Sequence, residues 1–291
     1  MKKILLLFIL PMLGFAHMNI AVSYPYIGAI TKSIGAEHVK TVVLAKGAWD
    51  PHFVVPRPSL IAKMRTADAL ILNGASLEIG WLPALMKRAH NPKVQLGSKH
   101  LLNLSHHVTL IDKPKNVSRA GGDVHPEGNP HFHLDPHNIP KLALAIRDFL
   151  SDIDSEHTQI YQTNYKIFIK NWQSNLKKWS QLMQKKKGIK VIQFHDNLAY
   201  FNKRYGINSI ATIEPLPGIP PSSRHVLKLI DIIKTQKPCC ILHDVYHSTK
   251  TAKFIAGKTD IPVILMPHDI DAMSSITDLE KLFHYLTGKI Q

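Results

Sequence analysis

The sequence predicts an α/β protein with two lobes that are joined by one long helix. Three observations lead to this fold class. Segments typical of strands and of helices alternate in both halves of the 291-residue chain, as they do in parallel sheets. Apolar residues between the two halves recur at helical spacing over roughly six turns. Finally, four histidines, each just after a predicted strand or a tight turn, are spread across nearly the whole chain.

The N-terminus has the features of an export signal. Two lysines precede the apolar run Ile4 to Leu10, and the small residues Gly14 and Ala16 occupy positions that a signal peptidase reads. We expect residues 1–16 to be a cleaved signal peptide and the mature chain to begin at His17. The alternative is an uncleaved membrane anchor, for which the apolar run is short. No cysteine near this site can take a lipid, and no later run is long enough for a span. The sequence predicts a soluble, exported and most simply periplasmic protein.

Residues 17–156 are predicted to form the first lobe. Strands are expected at 19–23, 39–44 and 69–72, with helices beginning near Tyr26 and near Ser59. This order is a βαβ pattern.

The linking helix is expected at 157–187. Its apolar residues step by four, three, four, four, three and four, which keeps them on one face: Tyr161, Tyr165, Phe168, Trp172, Leu176, Trp179 and Met183. A helix from His157 to Lys185 would be on the order of 40 Å long at 1.5 Å per residue. Such a rod between two lobes implies a cleft with limited hinge freedom. The alternative is one large α/β domain with a long surface helix.

Residues 188–291 are predicted to form the second lobe. Strands are expected at 190–194, 207–211, 240–243 and 262–265, each followed by a helical segment. Ser222 or Ser223 is a plausible N-cap for the helix that ends near Thr235. Both lobes are therefore expected to be Rossmann-like.

The two cysteines are adjacent, at Cys239 and Cys240. Neighbours on a strand point to opposite faces, so we expect buried core thiols. A vicinal disulfide is the alternative.

The net charge of +15 does not indicate a nucleic-acid partner. Lysines and arginines are dispersed, and the only tight run is Lys185 to Lys187. We expect a basic, solvated surface. The chain also lacks the Gly-x-x-x-x-Gly-Lys-Ser/Thr run that binds nucleotide phosphates, so any ATP-driven step must be performed by a separate ATPase.

The four histidines are the candidate metal ligands. Ligands of α/β sheets bind in the crevice at the carboxyl ends of the strands, so residues distant in sequence can converge there. Neutral imidazoles that converge in a cleft suit a zinc ion. The candidates are His52, His131, His195 and His268.

Several motifs resemble the metal-binding lipoprotein and zinc-transport family, the solute-binding subunits of ABC importers for zinc or manganese. The matching segments are Asp50-Pro51-His52 with Pro58-Ser59, Pro130-His131 with Leu134-Asp135-Pro136, and Phe194-His195-Asp196 with Tyr205-Gly206. The resemblance implies that His52, His131 and His195 are ligands. His133 competes with His131, because both would point the same way on an extended backbone. We favour His131, since the family has an aromatic or apolar residue at position 133.

The fourth ligand is where the chain departs from the family pattern. Many members end the last strand of the second lobe with Leu-Asp-Pro, and that aspartate completes the site. Here the stretch is Leu265 to Asp269, and alignment on its proline puts Met266 in place of the carboxylate. Either His268 or Asp269 could take over, or a water could; we favour His268.

The resulting hypothesis is that a monomeric protein captures Zn²⁺ between its lobes and hands it to the ABC permease of the inner membrane. Three or four imidazoles suit zinc better than manganese, which prefers oxygen, although manganese or another divalent metal stays the alternative. Two other classes of protein are alternatives. A zinc hydrolase would need a general base, for which Asp196 or Glu214 could serve, but His-Glu-x-x-His and Gly-x-Ser-x-Gly are absent from the sequence. A surface adhesin is disfavoured by the missing lipidation cysteine. We therefore expect no enzymatic activity.

Overall fold

The computed structural model describes residues 17–114 and 125–290. The predicted signal peptide, 1–16, lies outside these residues. The first half contains β1 (Met18–Val22), α1 (Pro25–Gly35), β2 (Val39–Val43), α2 (Pro58–Arg65), β3 (Ala69–Leu72), α3 (Leu82–Ala89), β4 (Leu101–Asn103) and α4 (Ile139–Ile153). After α5 (Thr158–Gln184) come β5 (Lys190–Gln193), α6 (Ala199–Tyr205), β6 (Asn208–Thr212), α7 (Ser223–Gln236), β7 (Ile241–His243), α8 (Lys250–Thr259), β8 (Val263–Leu265) and α9 (Leu279–Lys289).

The strands described here form two sheets with the same topology. The first sheet has the order β2-β1-β3-β4 and the second has the order β6-β5-β7-β8, and every pairing is parallel. In each sheet the first strand in sequence lies between the second and the third. Connections therefore leave that strand in opposite directions, which opens a crevice at its carboxyl end. The two-lobed α/β fold predicted from the sequence is confirmed.

The two central strands of the first sheet, β1 and β3, are mostly apolar and buried. All four residues of β3 are buried, and Ile20, Ala21 and Val22 of β1 are fully buried. Such continuous apolar runs are typical of parallel sheets. The strands thus supply a rigid base, while the loops at their carboxyl ends are free to carry polar residues.

Helix α5 is the long amphipathic helix that the spacing predicts. It has 27 residues, or about 40 Å at 1.5 Å per residue. Its buried face includes Trp172 and Trp179, which pack against Phe283 of α9 with ring centroids 5.6 and 5.2 Å apart. The indole N–H of Trp172 also donates to the carbonyl of Pro136 at 2.8 Å. The helix is thus packed against both the first lobe and the C-terminal helix, as a strut requires.

Three local features can be compared with the predictions made from the sequence. β4 was not predicted, because three residues are too few to show a period. Ser222 is the N-cap of α7 and accepts a hydrogen bond from the His225 backbone N–H at 3.2 Å, as expected. Cys239 and Cys240 precede β7 instead of starting it, and their sulfur atoms lie 3.0 Å apart. The expectation of opposite faces was wrong, because Cys239 lies in a bend.

The two lobes contact each other directly. Arg204 of α6 forms a bidentate ion pair with Asp135 of the first lobe, with distances of 2.9 Å from Nε to Oδ1 and 2.7 Å from Nη2 to Oδ2. The Tyr200 hydroxyl donates to the Asn129 carbonyl at 2.8 Å and accepts from the Ile111 N–H at 3.0 Å. These contacts lie on the cleft side and hold the lobes together. The lobe boundaries at 156/157 and 187/188 stay predictions.

In the described part of the chain, no helix combines the length and the apolar character needed to cross a bilayer.

Candidate metal centre

His52 lies in the loop that follows β2, and that loop is fixed by its neighbours. The carbonyl of Pro51 accepts hydrogen bonds from the Tyr24 hydroxyl at 2.8 Å and from the Trp81 indole N–H at 3.2 Å. Two buried aromatic side chains therefore hold the residue directly before His52. His52 itself is buried.

His131 is held by asparagines. Its backbone N–H donates to Asn129 Oδ1 at 3.0 Å, and the preceding carbonyl of Pro130 accepts from Asn73 Nδ2 at 3.1 Å. Asn129 also donates through Nδ2 to the carbonyl of Asp196 at 2.8 Å. One side chain therefore links the segment that carries His131 to the residue that follows His195 in the second lobe.

His195 stands at the carboxyl end of β5, where a strand passes into a short helical turn. The N–H of Phe194 donates to Leu242 at 2.8 Å, and its carbonyl accepts from the Glu214 N–H at 3.0 Å. Sheet hydrogen bonds thus continue up to the residue before His195. The imidazole projects from a rigid edge.

His52, His131 and His195 converge, although 143 positions separate His52 from His195 in the sequence. One nitrogen of each ring lies within 4.8 Å of the corresponding nitrogens of the other two. The ring centroids form a nearly equilateral triangle of 5.4, 5.4 and 5.5 Å, with interplanar angles of 72°, 77° and 90°. Nitrogens bound to one tetrahedral zinc ion lie about 3.3 Å apart, given bonds of about 2.0–2.1 Å. To reach this geometry, the three nitrogens must approach one another by at most about 1.5 Å.

Carboxylates orient two of these imidazoles. His52 Nδ1 lies 2.9 Å from Asp50 Oδ1, and His195 Nδ1 lies 2.7 Å from Glu214 Oε2. With a carboxylate partner, Nδ1 carries the proton and Nε2 is left as the basic nitrogen. The Nε2 atom of His52 is buried and has no hydrogen-bond partner among the residues described. Both rings are thus prepared to bind a cation through Nε2.

His131 differs from these two. Within the described structure, neither of its ring nitrogens has a hydrogen-bond partner, although both are buried. Burial, followed by the charges of His52 and His195, holds the pKa of His131 well below its ordinary value. Its ring is therefore neutral at physiological pH, which is the form that binds a metal.

His247 lies behind the triangle and was given no role from the sequence. Its Nδ1 is 3.0 Å from Asp244 Oδ2, while its Nε2 is 3.7 Å from Glu214 Oε1 and 3.9 Å from Asp50 Oδ2. Burial lowers the pKa of His247, but the hydrogen bond to Asp244 and the nearby carboxylates outweigh it and raise the pKa overall. The raised pKa favours the protonated form of His247, which faces the carboxylates that orient His52 and His195.

His268 is the predicted ligand that the structure does not bring into the triangle. It lies outside the group of mutually close ligand atoms, and its ring meets Tyr246 edge-on at 4.9 Å. Asp269, the alternative, is buried, and its carboxylate accepts the N–H of Ile270 at 2.7 Å. Burial raises the pKa of Asp269 well above its usual range. Neither residue joins the three imidazoles in the structure.

His133, the competitor of His131, has a different environment. Its ring stacks on Tyr26 with centroids 4.3 Å apart, and its Nε2 lies 2.9 Å from the carbonyl of His268. It therefore connects the two lobes instead of facing His52. Burial lowers the pKa of His133 to about 4, so the ring is neutral and donates to that carbonyl.

The other loop histidines divide into two kinds. His106 and His107 are exposed, as expected. His125 is half-buried, with its ring centroid 5.3 Å from that of His52. Burial, followed by the charges of His52 and His195, lowers the pKa of His125 to about 3. Of the three, His125 alone borders the triangle.

Comparison with known proteins agrees with this architecture. The family described as zinc-uptake complex component A, periplasmic (ZnuA) matches residues 20–286. The chain belongs to this family. The resemblance noted in the sequence motifs is thereby confirmed.

Individual relatives of this ZnuA family member are distant in sequence. The zinc-binding lipoprotein AdcA of Streptococcus pneumoniae (strain ATCC BAA-255 / R6) is 23% identical over 254 residues, which are 84% of this chain and 49% of AdcA. The high-affinity zinc uptake system protein ZnuA of Yersinia pestis is 22% identical over 265 residues, 85% of this chain and 82% of that protein. The chain thus spans about half the length of the AdcA proteins that it matches.

The fold agreement is closer. A crystal structure of ZnuA superposes with a TM-score of 0.78 at 25% sequence identity, and the alignment covers 95% of this chain and 100% of that one. The two-lobed arrangement is therefore the fold of the family.

Proposed function

We propose that this chain is a monomeric periplasmic protein that captures Zn²⁺ between its lobes and delivers it to the permease of an ABC importer. The convergence of His52, His131 and His195 carries the proposal. Three imidazole nitrogens are a donor set that suits zinc, whereas manganese prefers oxygen ligands. The names of the family and of its relatives, which refer to zinc uptake and zinc binding, support the same cargo.

The geometry favours capture over catalysis. The triangle is enclosed by both lobes, and its ring nitrogens are directed by carboxylates that already accept hydrogen bonds from imidazoles. Asp50 and Glu214 are thus engaged as orienting groups, which leaves neither as a free general base. This supports a binding protein in which the metal is cargo. The fourth ligand, for which His268 was the sequence-based candidate, stays a prediction.

Calorimetric titration of the metal-free protein with zinc tests the proposal. We expect one zinc ion per chain, and a loss of at least a hundredfold in affinity for His131→Ala, because one of three protein ligands is removed. His106→Ala is the matched control, since His106 is an exposed histidine outside the triangle. Unchanged affinity in His131→Ala would refute the assigned site. Stronger binding of manganese than of zinc would transfer the proposal to the other cargo.

Delivery needs a separate measurement. Cells that lack their own periplasmic zinc-binding subunit, supplied with this chain and its transporter, should take up zinc with the wild-type protein and the His106→Ala variant. The His131→Ala variant should not support uptake. Equal uptake with all three proteins would contradict a role of the site in transport.

A further inference from the structure

The two cysteines of the second lobe lie in a geometry that their sequence position does not predict. Adjacent residues in an extended strand place their side chains on opposite faces. Here Sγ of Cys239 and Sγ of Cys240 are only 3.0 Å apart. The described residues contain no other cysteine, and both are free thiols.

The local backbone explains why the thiols meet. Helix α7 ends at Gln236, and the next residue, Lys237, has a left-handed backbone with φ of 50°. Pro238 follows, and Cys239 lies in a bend before β7 begins at Ile241. Backbone hydrogen bonds to β5, from the Cys239 N–H to Lys190 at 2.9 Å and from the Ile192 N–H to the Cys240 carbonyl at 3.0 Å, hold this bend in place. The contact between the sulfur atoms is therefore built into the junction of helix and strand.

We propose that Cys239 and Cys240 form a redox-active dithiol that an external disulfide converts into a vicinal disulfide. A disulfide bond is about 2.0 Å long, so the sulfur atoms must approach by about 1 Å. Rotation of the two side chains can supply a movement of this size. The ligand class is an accessible disulfide, such as oxidised glutathione or the disulfide of an oxidoreductase.

The two thiols are not equivalent, and this sets the order of the steps. Cys239 is half-buried, whereas Cys240 is fully buried. The hydrogen bond from the Cys240 thiol, assisted by Lys186, lowers the pKa of Cys239 to about 7 despite partial burial. The hydrogen bond to Cys239 and burial raise the pKa of Cys240. Cys239 is therefore the attacking thiolate and Cys240 the resolving thiol.

The reaction balances as a two-electron exchange. The thiolate of Cys239 attacks one sulfur of the donor disulfide, which breaks that bond and releases one donor thiolate. Cys240 gives its proton to the released thiolate and attacks the Cys239 sulfur, which breaks the mixed disulfide and displaces the second donor thiolate; that thiolate takes up the proton that Cys239 lost on ionisation. The protein loses two hydrogens and the donor becomes two thiols. Exported compartments supply such donors, in line with the proposed location.

The bond is expected to be labile. Neighbouring Cα atoms across a trans peptide are about 3.8 Å apart, below the 4.4–6.8 Å that disulfides usually span. A bridge between neighbours is therefore strained and easily reduced, which is typical of regulatory disulfides and not of structural ones. Mild reduction should return the protein to the dithiol form.

Intact-mass measurement after treatment with oxidised glutathione tests the proposal on the full, folded chain. We expect the wild type to lose two hydrogens without a retained glutathione, and both thiols to become unreactive together. Cys240→Ser should accumulate a glutathione adduct on Cys239, because the resolving thiol is gone. Cys239→Ser should stay unmodified, because Cys240 is buried. Dithiothreitol should reverse the change in the wild type.

Other outcomes would overturn the proposal. These are a stable glutathione adduct on the wild type, a disulfide-linked dimer, or no reaction of the wild type under conditions that modify Cys240→Ser. Circular dichroism shows whether Cys240→Ser folds. If its buried hydroxyl prevents folding, Cys240→Ala is used in its place. Zinc titration of the same samples is a separate readout, so failure here leaves the proposed metal capture to be judged by its own experiment.

Discussion

Glu214 gives the sharpest test of how the metal site is organised. Its carboxylate touches no metal in the proposed arrangement, and its closest contact with a proposed ligand is the 2.7 Å contact with His195 Nδ1. Both side chains are buried, at 6% and 7% exposure, so water cannot replace the missing partner. Loss of an orienting carboxylate of this kind costs about 10- to 100-fold in metal affinity.

Two substitutions separate the charge from the hydrogen bond. Glu214→Gln keeps a side-chain carbonyl that accepts the Nδ1–H of His195, so we expect a loss of about tenfold in zinc affinity, or about 1.4 kcal/mol. Glu214→Ala removes the acceptor as well, and the loss should approach a hundredfold, or about 2.8 kcal/mol. Stoichiometry should stay at one zinc per chain in both variants, because the three imidazoles remain.

The assay is competition with a zinc chelator of known affinity, followed optically. Asp154→Asn is a matched control, because Asp154 also accepts from a histidine Nδ1, that of His157, at 2.9 Å but outside the triangle. It should bind zinc like the wild type. If Glu214→Ala does so too, the carboxylate does not orient His195 and the reasoning about the site fails.

Three further predictions follow from the structure. Burial holds the pKa of His131 well below its ordinary value, so this ligand takes up no proton between pH 8 and 5. Zinc affinity measured over this range should therefore fall by less than three log units per pH unit, and a slope of three would contradict the site. Burial raises the pKa of Glu78 from 4.5 to about 7, so ionisation costs stability as the pH rises through this window. The pKa difference of about 2.5 units corresponds to about 3 kcal/mol in the free energy of unfolding. Urea unfolding should show that the wild type loses this amount of stability between pH 4.5 and 8 relative to Glu78→Gln. Parallel plots of stability against pH for the two proteins would refute this prediction. Arg204→Met leaves the buried Asp135 carboxylate without its guanidinium partner and should lower the free energy of unfolding by about 1–3 kcal/mol. Arg204→Lys should recover part of this loss. Equal stability of the wild type and both variants would show that this contact between the lobes does not stabilise the fold.

Secondary-structure elements were predictable from the sequence where the spacing of apolar residues shows which face of the element is buried. Helix α5 is the clearest case, because only a helix places seven apolar residues with this spacing on a single face. Its observed bounds differ from the predicted His157 to Lys185 by one residue at each end. β4 was missed because three residues carry no period. The cysteine geometry was missed because it depends on the backbone of Lys237, which side-chain pattern does not reveal.

The site was only partly accessible from sequence, for a related reason. Motifs locate the histidines that end strands, and the structure brings His52, His131 and His195 together. Motifs do not say where a side chain points, so His268 could not be separated from the others. The role of Asp50 could have been predicted. An aspartate in a turn often accepts the backbone N–H of the residue two positions later, as Asp50 does here from His52 at 3.0 Å. The position of His247 was not predictable, because two of its three carboxylate partners, Glu214 and Asp50, are distant in sequence.

The contacts between the lobes bear on how the proposed zinc ion would be held. Asn129 accepts the N–H of His131 and donates to the carbonyl of Asp196, so the segments that present ligands from the two lobes are joined without any help from the metal. Arg204 and Tyr200 add further bonds across the same cleft. Because the imidazoles are positioned in advance, little conformational entropy is lost when zinc binds, which favours high affinity. The same contacts oppose opening of the cleft, so the proposed delivery requires that the partner either weaken them or compete for the ligands. In the proposed function, the rigid helix α5 and the cross-linked cleft therefore place the main free-energy barrier of zinc transfer at release and not at capture.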